Sequence, residues 1–340
     1  MNKSDGGYTS VSVLILILFL SALALGLMVY SRMLSSGLEK YDRRYATKRI
    51  LEESVVEVIS HLKTDPTPDA DSPNDPVWSW IENRDSTEPE IVLEDVSSRF
   101  NLNFVRTKML EKSDFASMMI NGMSPEDLKQ YRGEEGFSED LMSGYGEFFS
   151  EEDLDKYFTV YSYANLNVTY EDSLKKIFEI RVDEGGSHIF LSEIQTLIAS
   201  QEMADQAEMN RILGQSRKDL YPLINIEPLI NVNFADEDIL KAVLYYPYGE
   251  ERHERASDYL DILKAERSAM EIESARLDEI LNVDGNYLRI KQYLGTTTWF
   301  WKIRAEYEDE ILNVILARMP GNKEGEEESA FRIILWQFNS

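Results

Sequence analysis

The chain's clearest pattern is an unbroken apolar run, "SVSVLILILFLSALALGLMVY", at residues 10–30. It carries no charge, and about 20 residues rising 1.5 Å each match the roughly 30 Å hydrocarbon core of a bilayer. The run therefore predicts a membrane-spanning helix. An amphipathic pattern follows. In "YATKRILEESVVEVISHL" (45–62), Ile50, Val55 or Val56, Ile59 and Leu62 recur at intervals of three to five, which predicts a stem helix with one apolar face. "TDPTPDADSPNDP" (64–76) ends that helix, because its four prolines cannot continue it, and it reads as a solvated loop.

Beyond the loop, "EIVLEDVSSRFNLN" (90–103) reads as a strand with a tight connection near Ser97-Ser98. Three segments, "SPEDLKQY", "FSEDLM" and "SEEDLDKYF", each open with Ser followed by acids, a signature of helix N-termini. "IFLSEIQTLIASQEMADQAEMNRIL" (189–213) and "ERASDYLDILKAERSAMEIESARLDEIL" (254–281) predict longer helices. From about 286 the period drops to two. "NYLRIKQYL", "TTWFWKIRAEYED", "ILNVILARM" and "AFRIILWQF" are rich in β-branched and aromatic residues, and "PGNKEGEEES" (320–329) separates the last two as a hairpin loop. The order predicts an α+β protein: a long N-terminal helix, then an antiparallel sheet head interrupted by a large, mainly helical insertion.

One phrase recurs. "NLNFVRTKML" starts at Asn101, "NLNVTYEDSL" at Asn165 and "NVNFADEDIL" at Asn231, each with a leucine nine positions after the first asparagine. The pairs Asn101/Asn103, Asn165/Asn167 and Asn231/Asn233 suit strand-to-helix connectors, because asparagine side chains bond nearby backbone groups and tolerate left-handed geometry. The third copy also resembles the Asn-x-Asn-Thr-Ala opening of the helix-hairpin-helix DNA-binding module. That module needs a Gly-apolar-Gly turn, whereas "PYGEERHERA" supplies one glycine and three glutamates.

Charge weakens the DNA reading further. The net charge is −27. Residues 1–50 hold seven Lys/Arg against three acids, a net +4, which leaves −31 for residues 51–340. Such a body repels phosphate backbones, so no nucleic-acid partner is expected. Hydrophobic content of 43% supports a real core, so the acidity does not signal disorder. The absence of cysteine excludes disulfides and thiol chemistry. His61, His188 and His253 are far apart, and no metalloprotease, serine-hydrolase or phosphate-loop motif is present, so no enzyme is expected. Acidic loops offer calcium candidates: Glu151, Glu152, Asp153 and Asp155 in "SEEDLD", and Asp69, Asp71, Asn74 and Asp75 in "DADSPND". No cofactor is otherwise implied.

The first residues give the address. "MNKSDGG" followed by "YTSVSVLIL" is a short polar leader ending in glycine before an apolar helix, and it resembles the type IV pilin and pseudopilin class. A secretory signal peptide fits less well, since its apolar region runs only about 7–15 residues and "ALA" (22–24) lies inside the run. The resemblance implies cleavage by a prepilin peptidase after Gly7 and a methylated Tyr8 at the mature N-terminus, with the body exported. A plain single-pass anchor is the competing reading, and the Lys/Arg excess after the span would, by the positive-inside rule, place the body in the cytoplasm.

Most members of the class carry glutamate at the fifth mature position; here it is Ser12. A carboxylate inside a bilayer needs a partner, usually the amine of the next subunit. A subunit lacking it suits the filament tip.

Together with the Asn-x-Asn motifs and "EDVSSRFNLN", these features resemble the type II secretion minor pseudopilin K family (general secretion pathway protein K), with Phe234 in place of the motif's usual threonine and Tyr8 as departures. The resemblance implies a leader at 1–7, a transmembrane and stem helix at 8–62 and the first part of a pilin-like head at 63–103. It places an inserted helical domain at 104–285 and the C-terminal strands of the head at 286–340. It further implies other minor pseudopilins as partners in a hetero-oligomeric tip complex, a single pass through the bacterial inner membrane and a periplasmic body. Some members of the family bind calcium. The alternative is a single-pass envelope protein whose helix-hairpin-helix-like domain binds another protein or DNA.

Overall fold

A computed structural model describes residues 5–67, 69–169, 171–181, 206–213, 223–248, 253–282, 287–319 and 331–339. The apolar run and the amphipathic segment form one continuous helix, α1 (Asp5–Lys63). Val13–Lys63 contains a stretch long and apolar enough to cross a membrane. The side chains of residues 13–46 are exposed, and from Thr47 onward one face turns inward. That face is Leu51, Val55, Val58 and Leu62, each nearly or fully buried. Their spacing of four, three and four residues forms a single helical stripe. Val55 and Leu62 lie on the face read from the sequence; the rest of that face is corrected, since Ile50 is exposed and Ile59 is half-buried.

The stripe packs on one antiparallel sheet. β1 (Glu90–Asp95) pairs with β8 (Phe300–Tyr307), β8 with β9 (Glu310–Arg318), and β9 with β10 (Phe331–Asn339). Trp301, Ile303 and Ala305 alternate inward along β8 and stand opposite Asp95, Leu93 and Ile91 of β1. With Leu312, Val314 and Leu316 they bury against Leu51, Val55, Val58 and Leu62 of α1. The opposite face is covered by Val96, Tyr163, Trp299 and Phe300, packed with Ile315 and Ala317. A short helix, α2 (Pro76–Glu82), closes the side of the stem. The α+β architecture predicted from the pattern is the one found, since β1 and β8 are neighbours in the sheet with the insertion between them in sequence.

The insertion is three excursions in tandem, and each is closed by a two-residue parallel ladder. β2 (Phe100–Asn101) pairs with β3 (Phe158–Thr159), β4 (Ala164–Asn165) with β5 (Ile224–Asn225), and β6 (Ile230–Asn231) with β7 (Leu294–Gly295). The first excursion holds α3 (Thr107–Glu111), α4 (Phe115–Met118), α5 (Pro125–Glu135), α6 (Leu141–Tyr145) and α7 (Glu151–Tyr157). The second holds α8 (Glu171–Arg181) and α9 (Gln206–Leu213). The third holds α10 (Glu237–Tyr245), α11 (His253–Ala269), α12 (Ser274–Leu281) and α13 (Tyr287–Lys291). The first and third share one core, in which Phe100, Leu102, Leu110 and Phe158 join Ile230, Leu240, Leu260 and Leu294.

Several expectations from the pattern change. Residues 90–103 are not one strand: after the turn at Ser97-Ser98 the chain leaves the head sheet and pairs with β3. Residues 287–291, read as strand, form helix α13, because "YLRIK" fits both periods over so short a run. Ser124 and Ser150 cap α5 and α7, but α6 is capped by Asp140 and not by Ser138. The proline-rich loop is not solvated: Ala70, Asp71, Ser72 and Asp75 are buried, for a reason found at its charged residues. The predicted helix over 189–205 and the loop 320–329 lie outside the described residues.

Candidate functional site

The three Asn-x-Asn motifs adopt one geometry. In each, the first asparagine's Oδ1 accepts the N–H two residues on: Asn103 to Asn101 at 2.8 Å, Asn167 to Asn165 at 2.8 Å, Asn233 to Asn231 at 2.9 Å. The same residue's carbonyl accepts the N–H groups three and four residues on, from Phe104 and Val105, Val168 and Thr169, and Phe234 and Ala235. This Asx turn bends the chain out of the ladder, and a helix begins six residues after each first asparagine, at Thr107, Glu171 and Glu237. The asparagines are not themselves the caps; Asp236 caps α10.

The second asparagine acts as a staple. Asn103 Nδ2 donates to the Ser138 carbonyl and Ser138 N–H donates back to Oδ1, both at 3.0 Å, with the buried Tyr145 hydroxyl also donating to Oδ1 at 2.5 Å. Asn233 does the same with Ile272, at 3.1 and 3.0 Å. Each amide imitates a peptide group and ties the motif to a loop 35 or 39 residues downstream. Asn103 and Asn233 are both nearly fully buried, so the pairing satisfies groups that have no access to water.

The strands that close the excursions carry no such motif, and sequence reasoning missed them. Their signal is spacing: β3, β5 and β7 each start six residues before the next strand, at 158 before 164, 224 before 230 and 294 before 300. Gly295 is required in the last of them, since a Cβ there would sit 2.9 Å from Pro228 Cγ.

The third motif reaches the head through a buried polar junction. Asn231 Nδ2 donates to the Asp71 carbonyl at 2.9 Å and to Thr298 Oγ1 at 3.1 Å, and Asn233 Nδ2 also donates to the Asp71 carbonyl. The Asp71 carboxylate accepts both guanidinium arms of Arg318, at 2.7 and 2.9 Å, and Thr298 N–H at 2.6 Å. This is why the proline-rich loop turns inward. Beside it, Asp95 is buried at the end of β1 and accepts from the N–H and hydroxyl of both Ser97 and Ser98 and from the Thr298 hydroxyl. Ser98 Oγ in turn accepts Asn231 N–H at 2.9 Å. Burial pushes the Asp71 carboxyl up to about 7 against the opposing pull of Arg318, and pushes Asp95 up against its hydroxyl donors.

The acidic candidates separate into two environments. Glu151, Glu152, Asp153 and Asp155 lie along α7, where Ser150 and Asp153 bond reciprocally in a helix cap and the others are exposed. Acids at a helix N-terminus are favourable without any metal. In the proline-rich loop the structure brings together Asp65, Asp71 and Asp75, with one oxygen of each within 4.8 Å of the others. Asp65 was not foreseen there. Asp69 contributes its carbonyl to the Thr296 and Thr297 hydroxyls, and the Asn74 N–H bonds Ser72 Oγ. The donor set does not fit calcium, which takes six to eight oxygens. Both Asp71 oxygens are engaged by Arg318, a cation that would repel another, while Asp75 accepts Ser72 N–H and Oγ–H and Asp65 accepts Thr67 N–H. Burial lifts Asp75 to about 6, reinforced by the neighbouring Asp65 and Glu271 carboxylates.

At the other end of the molecule, Gly7, Tyr8 and Ser12 fall in the first turns of α1, ahead of an exposed apolar surface that includes Leu14, Ile17, Phe19 and Leu25. Met1–Ser4 lie outside the described residues. Of the histidines, His61 stacks on Trp80 at 4.4 Å, His253 starts α11, and His188 lies outside the described residues.

No family model matches the sequence, and no curated protein matches it. Among solved structures, the chain is similar to one in the GspK–GspI–GspJ complex of the type 2 secretion system of enterotoxigenic Escherichia coli. The identity is 13%, over 90% of this chain and 99% of that chain, with a TM-score of 0.37.

Two outcomes follow from the junction and the staples. Asn103→Ala and Asn233→Ala each strip two bonds from a buried peptide group and should each lower unfolding free energy by roughly 2–4 kcal/mol in urea titrations, whereas Asn→Ala at an exposed position should fall within about 0.5 kcal/mol. The second concerns pH. Asp75 has a folded value near 6, above the unfolded value of about 3.9, so the folded state holds a proton that the unfolded state releases. Its contribution is present below about pH 4 and is lost as pH rises through about 6. Asp75→Asn, which keeps an acceptor for Ser72, should make the fall in stability between about pH 4 and 6 shallower, with Asp71 still contributing to it.

Proposed function

We propose that this chain is a minor pseudopilin-type subunit at the tip of a type II secretion pseudopilus, where it helps start assembly of the filament that serves protein export. The observation that carries this reading is the N-terminal helix. A polar leader ending at Gly7 precedes an apolar span, and the same helix runs on without a break into a stem docked on an antiparallel sheet. The chain is a structural subunit of the inner membrane with its body on the periplasmic side, and prepilin peptidase produces the mature form beginning at Tyr8.

Two features support a place at the end of a filament. Ser12 stands where a carboxylate would pair with a neighbouring subunit's amine, so the chain does not make the contact on which stacking along the filament depends. The three excursions add a bulky helical body to the head, which copies repeated along a helix would have to accommodate and an end does not. Other minor pseudopilins are the partners. Leu34, Leu38, Tyr41 and Tyr45 form an exposed stripe at spacings of four, three and four beyond the span. Helices with a complementary apolar face suit it.

N-terminal sequencing of the mature chain from cells that hold a prepilin peptidase tests the reading. A methylated Tyr8 at the N-terminus is expected; an intact Met1 or a cut after residue 30 would sink it. For the stripe, Leu38→Glu should cut recovery of the tip complex about tenfold or more, because a charge replaces a leucine that the proposed contact would bury, while head stability stays unchanged.

A further inference from the structure

We propose that the turn between β8 and β9 is an electrostatic strap that fastens the membrane-proximal stem to the head and confines bending of the stem to Ser35-Ser36-Gly37. The turn is a two-residue loop, since Tyr307 pairs with Glu310 across it. Glu308, its first residue, has φ of 54°, a left-handed conformation that glycine or asparagine adopts far more easily. A glutamate held there needs a reason, and its carboxylate supplies one. It accepts Arg43 Nη2 at 2.7 Å, Arg43 Nε at 3.2 Å and Thr47 Oγ1 at 2.9 Å. Next to it Glu310, nearly buried, pairs with Arg44 and lies 3.9 Å from Lys48, whose ammonium sits 4.5 Å from the Phe338 ring centroid.

Arg43, Arg44, Thr47 and Lys48 lie one helical turn apart and face the same hairpin. Without that hairpin the docked part of α1 would begin near Leu51, the first fully buried apolar residue. With it, the docked part begins near Arg43, about 12 Å earlier along the axis. The free stem between the apolar span and the strap then contains Ser35-Ser36-Gly37. A Cβ added at Gly37 would meet nothing of this chain within 4 Å, so packing within the chain does not explain the glycine, and Ser-Ser-Gly is a weak helix former. The strap also gives Arg43, Arg44 and Lys48 a role in the folded head that does not depend on which side of the membrane the body lies. It stands apart from the pseudopilin reading, because it concerns only how this chain's stem meets its own head.

The natural chain lacks cysteine, so pairs of introduced cysteines take nitroxide labels without background. Distances are read by double electron–electron resonance on the full chain in nanodiscs. Tyr41→Cys with Ser86→Cys, both exposed sites, should give one narrow distribution, and Glu308→Gln should broaden it. Glu308→Gly should broaden it equally while leaving the head's urea midpoint unchanged or higher, because glycine relieves the backbone as it removes the carboxylate. Met33→Cys with Ser86→Cys should be broad, and should narrow when Gly37→Ala is added. A Tyr41–Ser86 distribution that stays narrow in both Glu308 variants would overturn the strap, and a narrow Met33–Ser86 distribution in the otherwise natural chain would overturn the pivot.

Discussion

The buried pair of Asp71 and Arg318 locks together parts of the chain that apolar packing alone brings side by side. Asp71 sits in the loop that leaves the stem, and Arg318 ends β9. Thr298, just before β8, donates its N–H to the same carboxylate, and Asn231 and Asn233 donate to the Asp71 carbonyl. A charge taken out of water is tolerated only when paired and fully bonded. Each of these groups therefore fixes the others, and stem, sheet and third excursion acquire one relative position. Asp95, one step along, is held by hydroxyl and N–H donors and not by a cation, binding the two serines at the point where the chain leaves the head sheet.

Between that exit and the return at β8, the insertion solves one problem three times. A ladder of two residues has too few bonds to stand alone, yet each excursion must end where it began. The Asx turn fixes the way out, the staples of Asn103 and Asn233 tie the first and third excursions to their own motifs, and the parallel ladder closes each one. The constant offset of six residues between a closing strand and the next strand hands the chain on in step. The last hand-over, from Leu294 to Phe300, delivers it to β8 in register with β1, with Trp301 opposite Asp95. A helical insertion can thus be carried by a small antiparallel head without opening its sheet.

What the sequence disclosed followed the range of the interactions. The apolar span, the stem and the strands β8 to β10 were legible because their periodicity depends on near neighbours. The serine caps at 124 and 150 and the asparagine repeats were legible because they bond locally. The burial of the proline-rich loop was not, because Asp71 answers to an arginine 247 residues away. The closing strands were missed because Phe158-Thr159, Ile224-Asn225 and Leu294-Gly295 share a position in the repeat but no residue type. Val55 and Leu62 of the stem face were legible, but Ile50 and Ile59 stood in for Leu51 and Val58, because each pair is equally apolar and only the sheet decides between its members. Phe234, an odd residue for its motif, explains itself through packing, with its ring 5.6 Å from Trp301 and 5.8 Å from Trp78.

The dependence of stem, head and insertion on one ion pair is open to a direct measurement, a double-mutant cycle on urea unfolding with Asp71→Asn, Arg318→Gln and the two combined. Each single change strands a buried polar or charged partner and is expected to cost roughly 3–5 kcal/mol. The double change strands neither, so its cost should fall short of the sum by about 1–3 kcal/mol. Costs that add within about 0.5 kcal/mol would mean that the two groups do not rely on each other, and that the junction is not what holds the three parts together.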